Sequence, residues 1–297
     1  MNAEPTTFYA IAKFACAAAF FLAAALNAPR ATAQRKTPEH KSPAVKSGYA
    51  PVNGLPLYYE VRGSGEPIIL LHGGGSSLET SFGHVIDELA KSRFVIAFDQ
   101  QGHGRTADVA DRPFSFEQSA DDAVALLHYL KIEKADFFGY SNGGHIAIQI
   151  ALSHPESVHR LIIESAMFSR EGSAPAFWES FKTARLDQMP LELREAYLAE
   201  APQPQNLQSF FDKSVQRMLY FQGWMPDQIR SIQAPTLVLC GDRDIVRPEH
   251  AVEMVRLLPH AQLAILPNTD HMQIVTASRS TWVVSLVESF LSGRRRE

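Results

Sequence analysis

Cysteine is scarce in this chain: two residues in 297, Cys16 and Cys240. That excludes a small disulfide-stapled scaffold, which needs many cysteines in a short sequence. Charge of one sign is equally scarce, since 28 Lys and Arg face 32 Asp and Glu for a net charge of −4. Nucleic-acid binding normally requires a basic face. The only dense basic run, Arg294-Arg295-Arg296, reads as a solvated tail. There is no Gly-Lys-Ser/Thr phosphate loop, no G-x-G-x-x-G, and no His/Cys/Asp cluster with metal-ligand spacing. No cofactor, metal or nucleic-acid partner is therefore expected. Long apolar runs are missing too: Phe14 to Leu26 falls short of the ~20 residues that cross a bilayer.

That short run has the character of an export signal. Lys13 precedes it, no charge interrupts it, and Ala31-Thr32-Ala33 offers a small-x-small cleavage site before Gln34. Glu4 in the leading segment fits a signal least well, and an uncleaved N-terminal anchor is the rival reading. Membrane contact is expected only through such an anchor. Cys16 does not follow the run as a lipid-anchor cysteine would. The expected organisation is a signal over 1–33, a Lys/Pro/Ser/Thr linker over 34–47, and one domain over 48–297, exported to the periplasm or beyond. Cys240, left alone after cleavage, sits in the apolar run Thr236-Leu237-Val238-Leu239 and reads as a small buried hydrophobe rather than a catalytic thiol.

At 45% hydrophobic and 20% charged, the remainder is ordinary globular material, long enough for one large core. Asn53-Gly54 joins two strand-like runs, Tyr49–Val52 and Leu55–Val61, as a tight hairpin. Strands and helices then alternate. Strands are expected at 67–71, 94–98, 135–138 and 160–163, with helices near 82–91, 119–130 and 143–153. Continuous apolar strands alternating with helices imply a mostly parallel sheet covered on both faces. Between about 167 and 233 the alternation stops and aromatics accumulate, so a helical cap is expected there. Strands resume at 236–239 and 263–266, and a last helix is expected over 281–291.

The strongest chemical signal is Gly139-Tyr140-Ser141-Asn142-Gly143-Gly144, a G-x-S-x-G sequence between a strand and a helix. A serine on so sharp a turn needs strained backbone angles and small neighbours two positions away on either side. His72-Gly73-Gly74-Gly75, at the end of a buried strand, leaves backbone N–H groups free to act as donors. The N–H groups of Gly74 and Asn142 are the expected oxyanion hole, with Gly75 the next candidate. Later strands end in Asp242-Arg243-Asp244 and Asp270-His271, at the same carboxyl edge of the sheet as Ser141. His271 can act as base, and a carboxylate from the earlier loop can hold its tautomer.

On these motifs the sequence resembles the α/β-hydrolase family from Tyr49 to Leu291, and Asp99-Gln100-Gln101-Gly102-His103-Gly104 resembles a further family segment. The resemblance implies an α/β fold with a mostly parallel eight-stranded sheet flanked by helices and a helical cap after the sixth strand. It also implies Asp244 as the acid, with Asp242 and then Glu164 as alternatives. The expected function is hydrolysis of a small carboxylic ester by a Ser141–His271–Asp244 triad through an acyl-enzyme. Cleavage of a C–C bond in a ring-cleavage dienoate is the alternative, followed by lactonase, perhydrolase and aminopeptidase activities. A non-catalytic binding module of the same fold is the reading from a different class. Trp178, Phe181 and Trp224 are candidate substrate contacts in the cap, each also readable as plain cap core. His72 is a candidate brace for the oxyanion loop, His103 reads as structural, and His145 and His154 read as surface or packing histidines.

Overall fold

The computed structural model of the chain describes residues 45–293, so the expected signal and residues 34–44 of the linker lie outside the described residues. The first strand, β1 (Lys46–Val52), pairs antiparallel with β2 (Leu55–Gly63). Lys46 and Ser47, expected in the linker, thus belong to the sheet: their backbone pairs with Val61 and Glu60, and a register depends on backbone groups rather than apolar side chains. Asn53 and Gly54 make the turn with φ of 48° and 76°, the two positive values that a two-residue hairpin demands.

Five further strands follow the expected alternation, and a sixth completes an eight-stranded sheet of order β1-β2-β4-β3-β5-β6-β7-β8. These are β3 (Pro67–Leu71), β4 (Phe94–Phe98), β5 (Ala135–Tyr140), β6 (Val158–Glu164), β7 (Thr236–Arg243) and β8 (Ala261–Asp270). From β4 through β8 all neighbours are parallel. Side chains alternate faces, so Ile69 and Leu71 enter one core layer while Ile68 and Leu70 enter the other. The first layer is closed by α3 (Phe116–Tyr129), α4 (Asn142–Ser153) and α9 (Pro248–Leu257). The second is closed by α1 (Leu78–Phe82), α2 (Ile86–Leu89) and α10 (Ala277–Ser292). All six residues of β5 are buried, which fixes the strand feeding Ser141 at the centre of the fold. Each Leu or Ile so buried contributes about 1.5–3 kcal/mol.

Several boundaries differ from the sequence reading. The single helix expected over 82–91 is two short ones, because Gly83 and His84 interrupt it. Strands β7 and β8 run four residues past their expected ends, down to Arg243 and Asp270, paired with each other through a register shift. Their extensions are polar and contribute backbone pairing, which hydrophobic periodicity does not register. Between β6 and β7 lie four helices: α5 (Pro175–Lys182), α6 (Leu191–Glu200), α7 (Leu207–Tyr220) and α8 (Pro226–Ser231). Met167, Phe168, Ile229 and Ile232, at the two ends of this insertion, join the core of the sheet.

Candidate active site

Ser141 caps α4 directly after β5, with φ 54° and ψ −119°. A non-glycine residue there costs about 1–3 kcal/mol and persists only where the surroundings over-determine it. Three backbone hydrogen bonds do so: Ser141 N donates to Glu164 O (2.8 Å), and Gly144 N and His145 N donate to Ser141 O (2.8 and 3.2 Å). The glycines are needed for a reason beyond relieving the serine itself. A Cβ on Gly139 would strike the Gly143 carbonyl, and one on Gly143 would strike the end of β3 at the Leu71 carbonyl. A Cβ on Gly144 would lie 2.5 Å from that of Ala166. The motif therefore lets α4 press against the strands on either side of β5.

His271, the first residue after β8, reaches back to this turn. Its Nε2 is 3.0 Å from Ser141 Oγ and its Nδ1 is 2.8 Å from Asp244 Oδ1. With Asp244 ionised, the network assigns the proton to Nδ1, leaving Nε2 to accept from the serine hydroxyl. Burial pushes the Asp244 carboxyl up, but the hydrogen bond and charge of His271, then the bonds from Ser165 Oγ (2.5 Å) and Gly241 N (3.4 Å), outweigh it and hold it below the usual carboxylate range. The other nearby carboxylates, among them the alternatives Asp242 and Glu164, are placed elsewhere. Asp242 Oδ1 accepts from Thr269 N, and Asp270 Oδ1 accepts from Met272 N and Gln273 N. Glu164 is buried, and burial, then the Asp244 charge, raise its carboxyl well above the usual range.

Gly74 and Asn142 line one cavity together with Ser141, and among the described residues neither backbone amide has a protein acceptor. A Cβ on Gly74 would lie 3.0 Å from Asn142 Cγ, so any larger residue there displaces the Asn142 side chain. His72 braces this loop from below, with Nδ1 donating to Gly73 O (2.8 Å) and Nε2 accepting from Gln100 N (2.9 Å). Gln100 also donates to His72 O (2.8 Å) and accepts from Arg217 Nη1 of α7 (3.1 Å), tying the insertion to the loop that begins at His72.

Above Ser141 opens a cavity of about 520 Å³, walled by α5–α7 and their loops and mostly apolar, with Phe177, Phe181, Met189, Leu193, Phe211 and Met218 among its lining. Phe181 is where the sequence reading placed it. Trp178 and Trp224 are not in the cavity. Trp178 is buried, stacks on Phe221 and donates from Nε1 to Arg170 O (2.7 Å); Trp224 donates from Nε1 to Gln149 Oε1 (3.1 Å). Indole N–H groups away from water seek such acceptors, and here they are Arg170 O and Gln149 Oε1 rather than anything in the cavity. Cys240 is buried, and burial, then Asp244 and Asp242, push its thiol up to about 12, so it offers no thiolate.

Three contributors escaped the sequence reading. Tyr140 stacks on the His271 ring at 5.2 Å and donates to His271 O (2.8 Å), fixing the loop that carries His271. Ser165 holds Asp244. His145, read as a packing or surface residue, is buried and lines the cavity. Only His145 carried a sequence signal, its position one helical turn after Ser141.

Comparison with known proteins agrees with this architecture. Residues 68–286 match the Alpha/beta hydrolase family. The 2-hydroxymuconate semialdehyde hydrolase of Pseudomonas sp. (strain CF600) is 31% identical over 252 residues, spanning 77% of this chain and 88% of that protein. The serine hydrolase BPHL of Homo sapiens is 29% identical over 248 residues, 77% and 81% of the two chains. A solved meta-cleavage product hydrolase from Pseudomonas fluorescens IP01 superposes with a TM-score of 0.71 at 26% identity, covering 83% of this chain and 97% of that one. With the family match extending over most of the domain, the chain belongs to the alpha/beta hydrolase family.

Proposed function

We propose that the chain is a serine hydrolase cleaving small carboxylic esters, with Ser141 as nucleophile, His271 as general base and acid, and Asp244 as the group that orients it. The observation that carries this reading is the unbroken hydrogen-bonded line Ser141–His271–Asp244 opening into an apolar cavity of ligand size. Ser141 Oγ attacks the ester carbonyl as its proton passes to His271 Nε2. The oxyanion is held by the N–H groups of Gly74 and Asn142, an element whose loss typically costs about 10²–10³ in rate. His271 then returns the proton to the departing alkoxide as the C–O bond breaks. Water, deprotonated by the same nitrogen, attacks the acyl-enzyme carbonyl, and Ser141 recovers its proton as the acid leaves.

The same nucleophile and donors serve a second reaction, cleavage of a C–C bond beside a carbonyl. The relatives named as 2-hydroxymuconate semialdehyde and meta-cleavage product hydrolases favour that reading about as well. A fluorophosphonate probe, with the adduct located by peptide mass spectrometry beside p-nitrophenyl acetate and butyrate turnover, separates them. Label on Ser141 and turnover lost in Ser141→Ala and His271→Ala support the esterase. Label without ester turnover supports the C–C hydrolase, and a folded protein that takes no label refutes both. Export by cleavage after Ala33 remains our proposal on the strength of the apolar run and Ala31-Thr32-Ala33.

A further inference from the structure

Arg217 lies on α7, a helix of the insertion that helps to wall the cavity, and is 4% exposed. Its cation has no ion-pair partner among the described residues, and burial alone lowers the guanidinium to about 10. The rings of Phe114 and Phe116 lie 5.1 and 5.6 Å from it, and its Nε has no hydrogen-bond partner. A buried charge without a carboxylate weighs against folding, and an apolar side chain of similar length would pack there at less cost. Among the described residues its side chain makes one hydrogen bond, from Nη1 to Gln100 Oε1 (3.1 Å), and the compensating role must act through that bond.

We propose that Arg217 is a positioning residue: by fixing the Gln100 amide it aims the Gly74 N–H at the oxygen that gains charge when Ser141 attacks, so full reactivity requires α7 to be docked. Each link is a hydrogen bond. A guanidinium only donates, so Gln100 Oε1 must face it and Nε2 must face away, where it donates to His72 O (2.8 Å). The Gln100 backbone N donates to His72 Nε2 (2.9 Å), which places the proton of the neutral ring on Nδ1. The ring stays neutral, since burial lowers it to about 4 against the pull of the Gly73 carbonyl, and the Arg217 charge adds to the lowering. Nδ1 then donates to Gly73 O (2.8 Å), and Ser76 Oγ donates to the same oxygen (2.8 Å). Gly73 O and the Gly74 N–H belong to one planar peptide unit, so whatever holds the carbonyl sets the direction of the N–H. With glycine on both sides of that unit, the chain itself resists its rotation little. Without Arg217 the two ends of the Gln100 amide are free to exchange, and an oxygen turned toward His72 O repels it.

This role rests on the serine-hydrolase reading, and the experiment keeps the two apart. The rate at which an alkyl fluorophosphonate labels Ser141 is measured for the wild type, Arg217→Met and Gln100→Glu, because the phosphoryl oxygen takes up charge as the serine attacks. Circular-dichroism melting and the kcat and KM of p-nitrophenyl butyrate are measured beside it. Arg217→Met should melt close to the wild type, since it removes an unpaired buried charge. It should nevertheless label about 10- to 100-fold more slowly, a part of the 10²–10³ that loss of an oxyanion donor brings. Its kcat should fall by the same factor with KM within about twofold. Loosening of α7 alone would instead raise KM, because Phe211, Val215 and Met218 of that helix line the cavity. Gln100→Glu keeps an acceptor for Arg217 but has no donor for His72 O, and should slow labelling as much; it decides if Arg217→Met does not fold. Labelling within about twofold of the wild type in a folded variant, or a loss carried by KM alone, overturns the role of Arg217 and leaves the hydrolase reading standing. If the wild type labels without turning over the ester, the labelling rates alone decide. A wild type that takes no label removes the hydrolase reading, and this role with it.

Discussion

Replacing Gly143 by Ala sets helix propensity against packing and gives opposite signs. Gly143 is the second residue of α4, and in a helix Ala is favoured over Gly by about 0.8–1.0 kcal/mol. Propensity alone therefore predicts a more stable protein. The structure predicts the reverse. The new Cβ would lie 2.5 Å from the Leu71 carbonyl carbon and 2.9 Å from His72 O, with Leu71 O nearer still. Carbon contacts settle at about 3.5–4.0 Å, so α4 and the end of β3 must separate by about 1 Å. Both neighbours are backbone, and no side chain can swing aside. Overpacking of this kind costs about 1–3 kcal/mol or more. In a domain of this size that lowers Tm by about 2–4 °C per kcal/mol. The larger effect falls on rate, because the end of β3 leads straight into Gly73 and Gly74, and a 1 Å misplacement costs about 10²-fold. Circular-dichroism melting and p-nitrophenyl butyrate turnover measure both quantities. Gly54→Ala is the control: its Cβ meets nothing within 4 Å, and its φ of +76° costs about 1–2 kcal/mol far from the site, so kcat should hold. A Gly143→Ala protein that melts at or above the wild type with kcat within twofold would refute the reasoning.

Asp244→Asn should keep the fold and lower kcat by about 10⁴, because the amide stabilises the wrong His271 tautomer; a loss under tenfold would shift the orienting role to Glu164 or Asp242. The acid lability of the protein should carry the signature of His145. Its folded value of about 3 lies below the unfolded value of about 6.5, so the unfolded chain takes up a proton that the native one refuses, and stability present above pH 6.5 is lost as pH falls. Between pH 7.5 and 5.0 the wild type should lose about 2 kcal/mol more than His145→Phe in urea unfolding, and identical pH profiles would contradict it. Full-length chain expressed in a bacterium should appear in the exported fraction with Gln34 as its N-terminal residue; a full-length chain held in the cytosol would refute export.

The class of fold was legible in the chain, and so were Ser141, His271 and Asp244 as the candidate residues that the structure brings together, because both rest on local signals. The unbroken apolar runs of β3 and β5 require a sheet buried on both faces, and the glycines around Ser141 are legible because a strained turn admits nothing larger. His271 and Asp244 were found from the same logic, as polar residues just past the ends of strands that share an edge with Ser141. The chain order alone left Asp242 and Glu164 as competitors. In the structure Asp242 accepts from the Thr269 amide and Glu164 is buried with its carboxyl raised above the usual range, while Asp244 stands against His271.

The cavity, by contrast, comes from long-range packing. Trp178 and Phe181 stand three residues apart on α5, yet one is buried against Phe221 and the other lines the cavity, since the helix is covered on two sides by partners far away in sequence. Tyr140 meets His271 across 131 residues, and Arg217 meets Gln100 across 117. Contacts of that range leave no periodicity in the chain: they depend on how the insertion docks on the sheet, and on which polar groups that docking leaves without a partner.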